Sequence, residues 1–352
     1  MKFENEEIEL LTKLCSLNGV SGREDEIRDY LKIEYKKLGF DYSIDNLGNI
    51  FAIKKSKNSN AKKVVIEGHM DEVGLMVTSI RDDGYILATE VGGLYFSAMV
   101  CSLLKLKTNK GNYIFGTIEA KAQENLGYYV CNFGFNNKNE AINDAGVQGG
   151  DMIVAEGEVK VINDGEKLLG KAFDDRFGIA LGLQTLKHFK DIDLPFDLYV
   201  GGTVQEEVGA RGASVLAENI NPDLVISLDT GFAKAENENN GNISKGVLIR
   251  HIDGGMVSFK KLIELQIEAL NNVNMPYQDY YRTRGGTNAG AIHKTYKGVH
   301  CLTHCITGVN IHTPLSFISA TDYYAAKESL FEIIRLLSVD NRLEKVLNYE
   351  ND

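Results

Sequence analysis

The chain of 352 residues contains no Trp, only five Cys, and fewer basic than acidic side chains. Without Trp, aromatic platforms for sugar rings fall to Tyr and Phe alone. The cysteines (Cys15, Cys101, Cys131, Cys301 and Cys305) are odd in number, scattered, and form no Cys-x-x-Cys pair. That pattern fits free, mostly buried thiols in a reducing compartment and disfavours a disulfide framework. Cys301 and Cys305 flank His304, but a second Cys pair is missing, and alternate residues of a strand face opposite ways. A zinc knuckle is therefore disfavoured. No apolar run approaches the ~20 residues that a spanning helix needs. Met1–Glu7 is acidic and lacks the basic start and apolar stretch of a signal peptide, so a cytoplasmic location is expected. Lys and Arg number 38 against 49 Asp and Glu, a net charge of -11. Nucleic acid and anionic membrane surfaces are poor partners for such a surface.

What is present suits a soluble globular protein of one large or two moderate domains: 43% hydrophobic residues, 25% charged, and 35 Gly. Residues 6–18 carry apolar side chains at helical spacing. Ser21-Gly22-Arg23-Glu24 reads as a capping box opening a second helix through Ile27, Leu31, Tyr35 and Leu38. Strands are predicted at Ile50–Ile53, Val64–Ile66, Leu198–Val204, Leu224–Leu228 and Val299–Cys305. Helices are predicted at Gly178–His188 and Ala320–Leu337. This is α/β texture, a sheet covered on both faces. Between Val73 and Val161 it gives way to short alternating runs and dense turn signals, the texture of an all-β module whose short strands leave edges to cover. The expected organisation is an α/β domain in two parts, 1–72 and 162–352, interrupted by a β module at 73–161. Ala235–Asn242 is read as a polar surface loop.

Gly68-His69-Met70-Asp71-Glu72-Val73-Gly74 follows directly on the apolar run Val64-Val65-Ile66. A His at the mouth of a buried strand, with Asp71 two residues on, is built like a metal ligand steadied by a carboxylate. Four more segments share this placement: Asp174-Asp175, Glu206-Glu207, Asp229 and His312. Ligands of open α/β sheets collect outside the carboxyl ends of the strands, so five distant segments can converge on one rim. Two His and three carboxylates fit a centre of two borderline cations such as zinc or cobalt, with one carboxylate shared. Glu206 is then spare to take a proton from a metal-activated water, as a hydrolase needs. Taken singly, each segment has a plainer reading. Asp174-Asp175 could cap a helix, Glu206-Glu207 could be a solvated loop, and Asp229-Thr230-Gly231 could be a turn. His188, His251, His293, His300 and His304 are read as structural, His188 as a surface residue.

Together with Gly170–Arg176, Val204–Gly212 and Gly285–His293, these segments resemble, in order, the motifs of the M42 family of cytoplasmic metallo-aminopeptidases. That family includes glutamyl and deblocking aminopeptidases and proteins long labelled endoglucanase. The resemblance covers essentially the whole chain. It implies that His69 and Asp229 hold one metal, Glu207 and His312 the other, and that Asp174 bridges them. It also implies that Glu206 is the general base and acid and that Asp71 orients His69. The expected fold is a mixed-sheet, zinc-peptidase-like catalytic domain with an inserted PDZ-like dimerisation domain. Short peptides are the expected substrates, and dimers or hollow tetrahedral dodecamers the expected assembly. Three departures stand out. Lys121-Ala122-Gln123-Glu124 replaces Lys-Pro-Pro-His, Val309 replaces an Arg, and Thr287-Asn288-Ala289 replaces Thr-Asp-Ala. A glycoside hydrolase and a non-catalytic peptide-binding shell are the alternatives.

Overall fold

The computed structural model describes residues 1–119, 128–233 and 241–348. The Lys121-Ala122-Gln123-Glu124 stretch and all but the last two residues of the Ala235–Asn242 segment lie outside them. Helices α1 (Asn5–Ser16) and α2 (Asp25–Leu38) lead into β1 (Asp41–Ile44), β2 (Ile50–Lys54) and β3 (Lys63–His69). Next come β4 (Gly74–Ile80), β5 (Ile86–Val91), the single turn α3 (Phe96–Met99), β6 (Leu103–Lys107), β7 (Tyr113–Ile118), β8 (Tyr129–Asn132) and β9 (Met152–Ala155). β10 (Lys160–Ile162), β11 (Lys167–Gly170), α4 (Phe173–Phe189), β12 (Asp197–Thr203), α5 (Arg211–Ile220) and β13 (Leu224–Phe232) follow. The chain continues through β14 (Val247–Ile252), α6 (Lys260–Asn272), β15 (Tyr277–Tyr281), α7 (Asn288–Ile292) and β16 (His300–Gly308). It ends with β17 (Ser316–Ser319), α8 (Ala320–Leu337) and α9 (Arg342–Leu347).

Eight strands form one mixed sheet in the order β1-β2-β12-β3-β13-β16-β14-β15. Its centre, β12, β3, β13 and β16, is parallel. Parallel strands with both faces covered read as continuous apolar runs, and Val64, Val65 and Ile66 are all buried. One face packs on α1, α2, α4, α6 and α8, and the other on α5 and α7. Because the four central strands run the same way, their carboxyl ends share one rim. His69 ends β3 beside Thr203 of β12, and Asp229 of β13 faces Cys305 of β16.

Strands β4 to β9 close into a barrel, in the order β4-β5-β8-β7-β6-β9, around its own core. The short strands therefore leave no open edge, contrary to the expectation from their length alone. β10, placed within the β module by the sequence, pairs with β11, which pairs with β17.

Local structure departs from the sequence reading at two helix starts. α2 begins at Asp25, and Ser21 caps nothing: its hydroxyl donates to Asp71 at 2.6 Å. The hydroxyl is turned toward a buried carboxylate and not toward a helix N–H. α4 begins at Phe173, ahead of the expected Gly178, with Asp174 and Asp175 outside helical geometry and joined by a cis peptide. Here the capping reading holds for one of the pair. Asp175 accepts from the Gly178 N–H at 2.9 Å and also from the His69 N–H at 3.0 Å. Two glycines make room for it, since a Cβ at Gly68 or Gly178 would lie 2.5 or 2.3 Å from its Oδ2. Overpacking a rigid site of this kind costs about 1–3 kcal/mol. Gly178→Ala should lower the unfolding free energy by about that much in a urea titration. A change below ~0.5 kcal/mol would show that the Asp175 carboxylate can move aside.

Candidate metal centre and active site

The strand-end segments meet on the rim of the sheet. The His69 ring is 2% exposed. Its Nε2 lies 3.1 Å from Asp174 Oδ1, and its Nδ1 lies 3.0 Å from the Asp71 carbonyl oxygen. The Asp71 carboxylate is further from that ring nitrogen, at 3.5 Å. It accepts instead from the Glu206 N–H at 3.0 Å, the Glu207 N–H at 3.1 Å and the Ser21 hydroxyl. Asp71 thus ties the end of β3 to the loop after β12 as much as it orients His69. Asp174 Oδ2 lies 3.4 Å from His312 Nε2, which lies 3.3 Å from Glu207 Oε2. Two overlapping groups result, His69-Asp174-Asp229 and Asp174-Glu207-His312, with the ligand atoms of each within 4.8 Å of one another.

Burial governs the acid–base state of this cluster. It pushes Glu206 up to about 8, reinforced by Asp229, Asp71 and Asp174 and opposed by His69. Asp229 is pushed up to about 8 by burial and by Asp174. Burial and Asp174 also hold Glu207 well above the usual carboxylate range. Asp174 goes the other way. Burial opposes its charge, but hydrogen bonds to His312 and His69 hold it well below that range. His69 is raised well above the ordinary imidazole value: burial opposes its charge, and Asp174 and Asp71 outweigh it. Protons here supply charge compensation that cations can supply instead, and metal binding would displace them. The residues fit such a use. Each group offers one imidazole and two carboxylates, with Asp174 shared, a donor set suited to zinc or cobalt. Glu207 Oε1 is buried with no hydrogen-bond partner. Glu206 belongs to neither group, yet lines the same cavity of about 370 Å³.

The remaining histidines are engaged elsewhere. His304 contacts Gln266 and the Ala326 carbonyl, His251 pairs with Asp279, and His188 is exposed and stacked on Phe331. Asn288 donates to Glu67 at 2.8 Å and to Thr203 at 2.8 Å. An amide suits that place, because a carboxylate there would face the buried Glu67 carboxylate. Val309 pairs with Phe317 through the backbone in an isolated bridge. The sequence reading missed Arg250, Tyr280 and Arg282, which line the same cavity. The available signal was the pair of Arg residues, Arg282 and Arg284, leading into Gly285-Gly286.

The M42 glutamyl aminopeptidase family model matches residues 48–328. The glutamyl aminopeptidase of Lactococcus lactis subsp. cremoris (strain MG1363) is 31% identical over 349 residues, covering 96% of this chain and 98% of that one. The lysyl aminopeptidase of Pyrococcus furiosus is 28% identical, covering 89% and 92%. Among solved structures, the TET aminopeptidase of a marine-sediment Thaumarchaeota archaeon aligns with a TM-score of 0.90 at 28% identity, covering 97% and 99%. The Pyrococcus horikoshii TET1 peptidase, which can assemble into a tetrahedron or a large octahedral shell, aligns with a TM-score of 0.83 at 25% identity, covering 93% and 99%. The chain belongs to the M42 peptidase family. Its activity is that of an aminopeptidase, a hydrolase of peptide bonds.

The raised acids set a pH dependence. Glu206 and Asp229 ordinarily ionise near 4.5 and 3.8, but in the fold they keep their protons to about 8. The folded chain therefore binds more protons than the unfolded chain over that window, and its stability falls as pH rises through it. Buried His304, lowered to about 4, acts in the opposite sense only below its ordinary 6.5. The melting temperature of the metal-free chain should accordingly fall between about pH 6.5 and pH 8.5, and added zinc should reverse the fall. A flat or rising profile would mean that these acids are already ionised in the fold.

Proposed function

We propose that the chain removes the N-terminal residue from short peptides with two divalent cations, zinc or cobalt, and Glu206. The observation that carries this reading is the pair of three-ligand groups sharing Asp174, with half-buried Glu206 beside them and outside both. His69 and Asp229 would hold one cation, Glu207 and His312 the other, with Asp174 between them. When bound, the cations would acidify a water and polarise the scissile carbonyl. Glu206 takes the proton from that water and returns it to the leaving amine. Its elevated affinity for a proton suits the second half of that task. Asp71 keeps the backbone of Glu206 and Glu207 in register with His69 through its two accepted N–H bonds. Asp175 fixes the His69 backbone from the opposite segment.

A glycosidase needs two carboxyls facing each other across a scissile bond. Here three of the four cavity carboxylates stand within ligand distance of the two histidines, an arrangement that serves cations. A non-catalytic shell has no use for a spare Glu206 whose carboxyl is held above the usual range. For assembly, the barrel would serve as a PDZ-like dimerisation module, since it carries none of the proposed ligands. Leu103, Phe115 and Tyr113 stand exposed on its paired strands β6 and β7. A closed shell would parallel the Pyrococcus horikoshii relative, which can assemble into a tetrahedron or a large octahedral shell.

Metal-loaded protein should contain close to two metals per chain by elemental analysis, and chelation should abolish peptide hydrolysis. Full activity without metal would end the reading. Glu206→Gln should keep its metals and lose a factor of ~10²–10⁴ in kcat. Residual turnover within about threefold of wild type would place the base elsewhere. Light scattering should report a particle larger than a monomer, and Phe115→Lys on the barrel should disperse it. A monomeric, fully active chain would remove any need for assembly.

A further inference from the structure

β12 ends at Thr203, and the loop after it carries Glu206 and Glu207. Side chains from outside that loop hold its backbone. Val204 donates its N–H to Asn49 Oδ1 at 2.9 Å, and Gln205 donates to Glu24 Oε1 at 3.1 Å. Glu206 and Glu207 donate to the two carboxylate oxygens of Asp71 at 3.0 and 3.1 Å. Four consecutive N–H groups thus go to side chains from three separate segments: the turn before β2, the start of α2 and the exit from β3. Asn49 is 1% exposed, Glu24 2% and Asp71 0%, so water does not compete for these acceptors. Burying two carboxylates is a costly way to satisfy a loop, since carbonyl oxygens would serve without desolvating a charge. The arrangement suits a backbone that must be placed as well as paired.

Glu24 acts where that backbone is most strained. Gln205 has φ +56°, in the left-handed region that a residue with a side chain enters at a cost. It breaks the extended run of β12 just before Glu206 and Glu207, so it sets the direction in which both leave the sheet. Glu24 is itself fixed for this contact. Its Oε1 also accepts from the Gly22 N–H at 2.6 Å, which closes the turn on itself. Ser21 of the same turn donates to Asp71 at 2.6 Å. Val20 bridges to Glu72, and the Glu72 N–H donates to the Gly19 carbonyl at 2.9 Å. The segment that the sequence presents as a capping box therefore grips the exits of both β3 and β12. Asn49 secures the other end of the loop, donating to the Gly212 carbonyl at 2.9 Å.

We propose that Glu24 is a positioning residue of the active site: through the Gln205 N–H it holds the left-handed turn that presents Glu206 to the reacting water and Glu207 to its cation. The inference rests on the reading of Glu206 and Glu207 given above. Glu24 does not line the cavity that those two residues line, so its effect on turnover must pass through the backbone. Its oxygen as an acceptor carries the effect, not its charge. The effect can be large, because misplacing a reacting group by ~1 Å can cost on the order of 10²-fold in rate.

The test compares Glu24→Leu with Glu24→Gln in the full, metal-loaded chain, measuring kcat and KM on aminoacyl anilides. Leu removes the acceptor and should lower kcat by ~10–100-fold, the worth of a hydrogen bond to a charged group, with KM within about threefold. Gln keeps an accepting oxygen and should rescue kcat to within about threefold of wild type. In the Glu24→Leu background, Gln205→Gly should recover at least about threefold of the lost kcat, because Gly enters the left-handed region without steric cost. If Glu24→Leu does not fold, Glu24→Asp gives the same reading: it keeps the charge, falls one methylene short of Gln205, and should lower kcat at least ~5-fold. A readout without turnover is the visible spectrum of the cobalt-loaded chain, which should change in Glu24→Leu and persist in Glu24→Gln. Folded Leu and Asp variants with kcat within threefold of wild type would overturn the proposal. So would an equal loss in Gln and Leu, which would make the charge the cause, or a loss that Gln205→Gly leaves untouched, which would assign it to packing of α2. An unchanged cobalt spectrum in Glu24→Leu would likewise overturn the hold on Glu207. A wild-type chain that hydrolyses no anilide would instead overturn the aminopeptidase reading, and the spectrum would still test the contact.

Discussion

Asp174, Glu206, Glu207 and Asp229 crowd around one cavity at the rim of the sheet, and that crowding is the constraint on which the rest of the structure depends. Buried carboxylates cannot all carry charge without compensation. The two imidazoles stabilise the charge of Asp174, which takes a hydrogen bond from each. Its neighbours are left above their usual range. The arrangement is poised for a cation on either side of Asp174, and it tolerates their absence only by holding protons. A cluster that merely stabilised the fold would gain nothing from this, because replacing buried ionic groups by well-packed apolar ones is often neutral or favourable.

The frame around the cavity is correspondingly stiff. Glu72, directly after the His69–Asp71 motif, accepts from Lys171 at 2.7 and 2.8 Å and from Arg176 at 3.2 Å. Arg176 also donates to the carbonyls of Leu14 and Leu17, at 2.8 Å each. One buried network thus locks the end of α1, the approach to Asp174 and the point where the chain leaves β3 for the barrel. Breaking one partner of such a network typically costs about 3–5 kcal/mol, because it strands the others. The barrel is therefore joined to the site through a rigid junction, and load on it bears on the same backbone that presents His69 and Glu72.

The candidate ligands were legible because each follows an apolar strand or opens a helix, and the rim of a parallel sheet collects such ends whatever their separation in sequence. Asp175 was half legible: its helix-capping role follows from position, but its bond to the His69 N–H depends on two glycines from different elements. Ser21 was misread because a local capping pattern says nothing of a buried acceptor brought in from Asp71. The density of short strands announced an all-β module. Its closure was hidden, since closing a barrel depends on pairing between strands such as β4 and β9 that periodicity does not encode. Arg250 and Arg282 were missed for the same kind of reason. In a strand or beside a Gly-rich turn an Arg looks like a solvated charge, until the sheet shows which cavity it borders.

The cavity also sets basic side chains, Arg250, Arg282 and Arg284, against the acidity of the chain as a whole. A protein of net charge -11 repels acidic peptides at a distance. Salt screens that field beyond about 8 Å at physiological strength. Inside the cavity the balance is local, since Arg250 and Arg282 line the same space as the four carboxylates. Acidic and basic side chains around one cavity need not cancel, provided that cations can offset the acidic cluster.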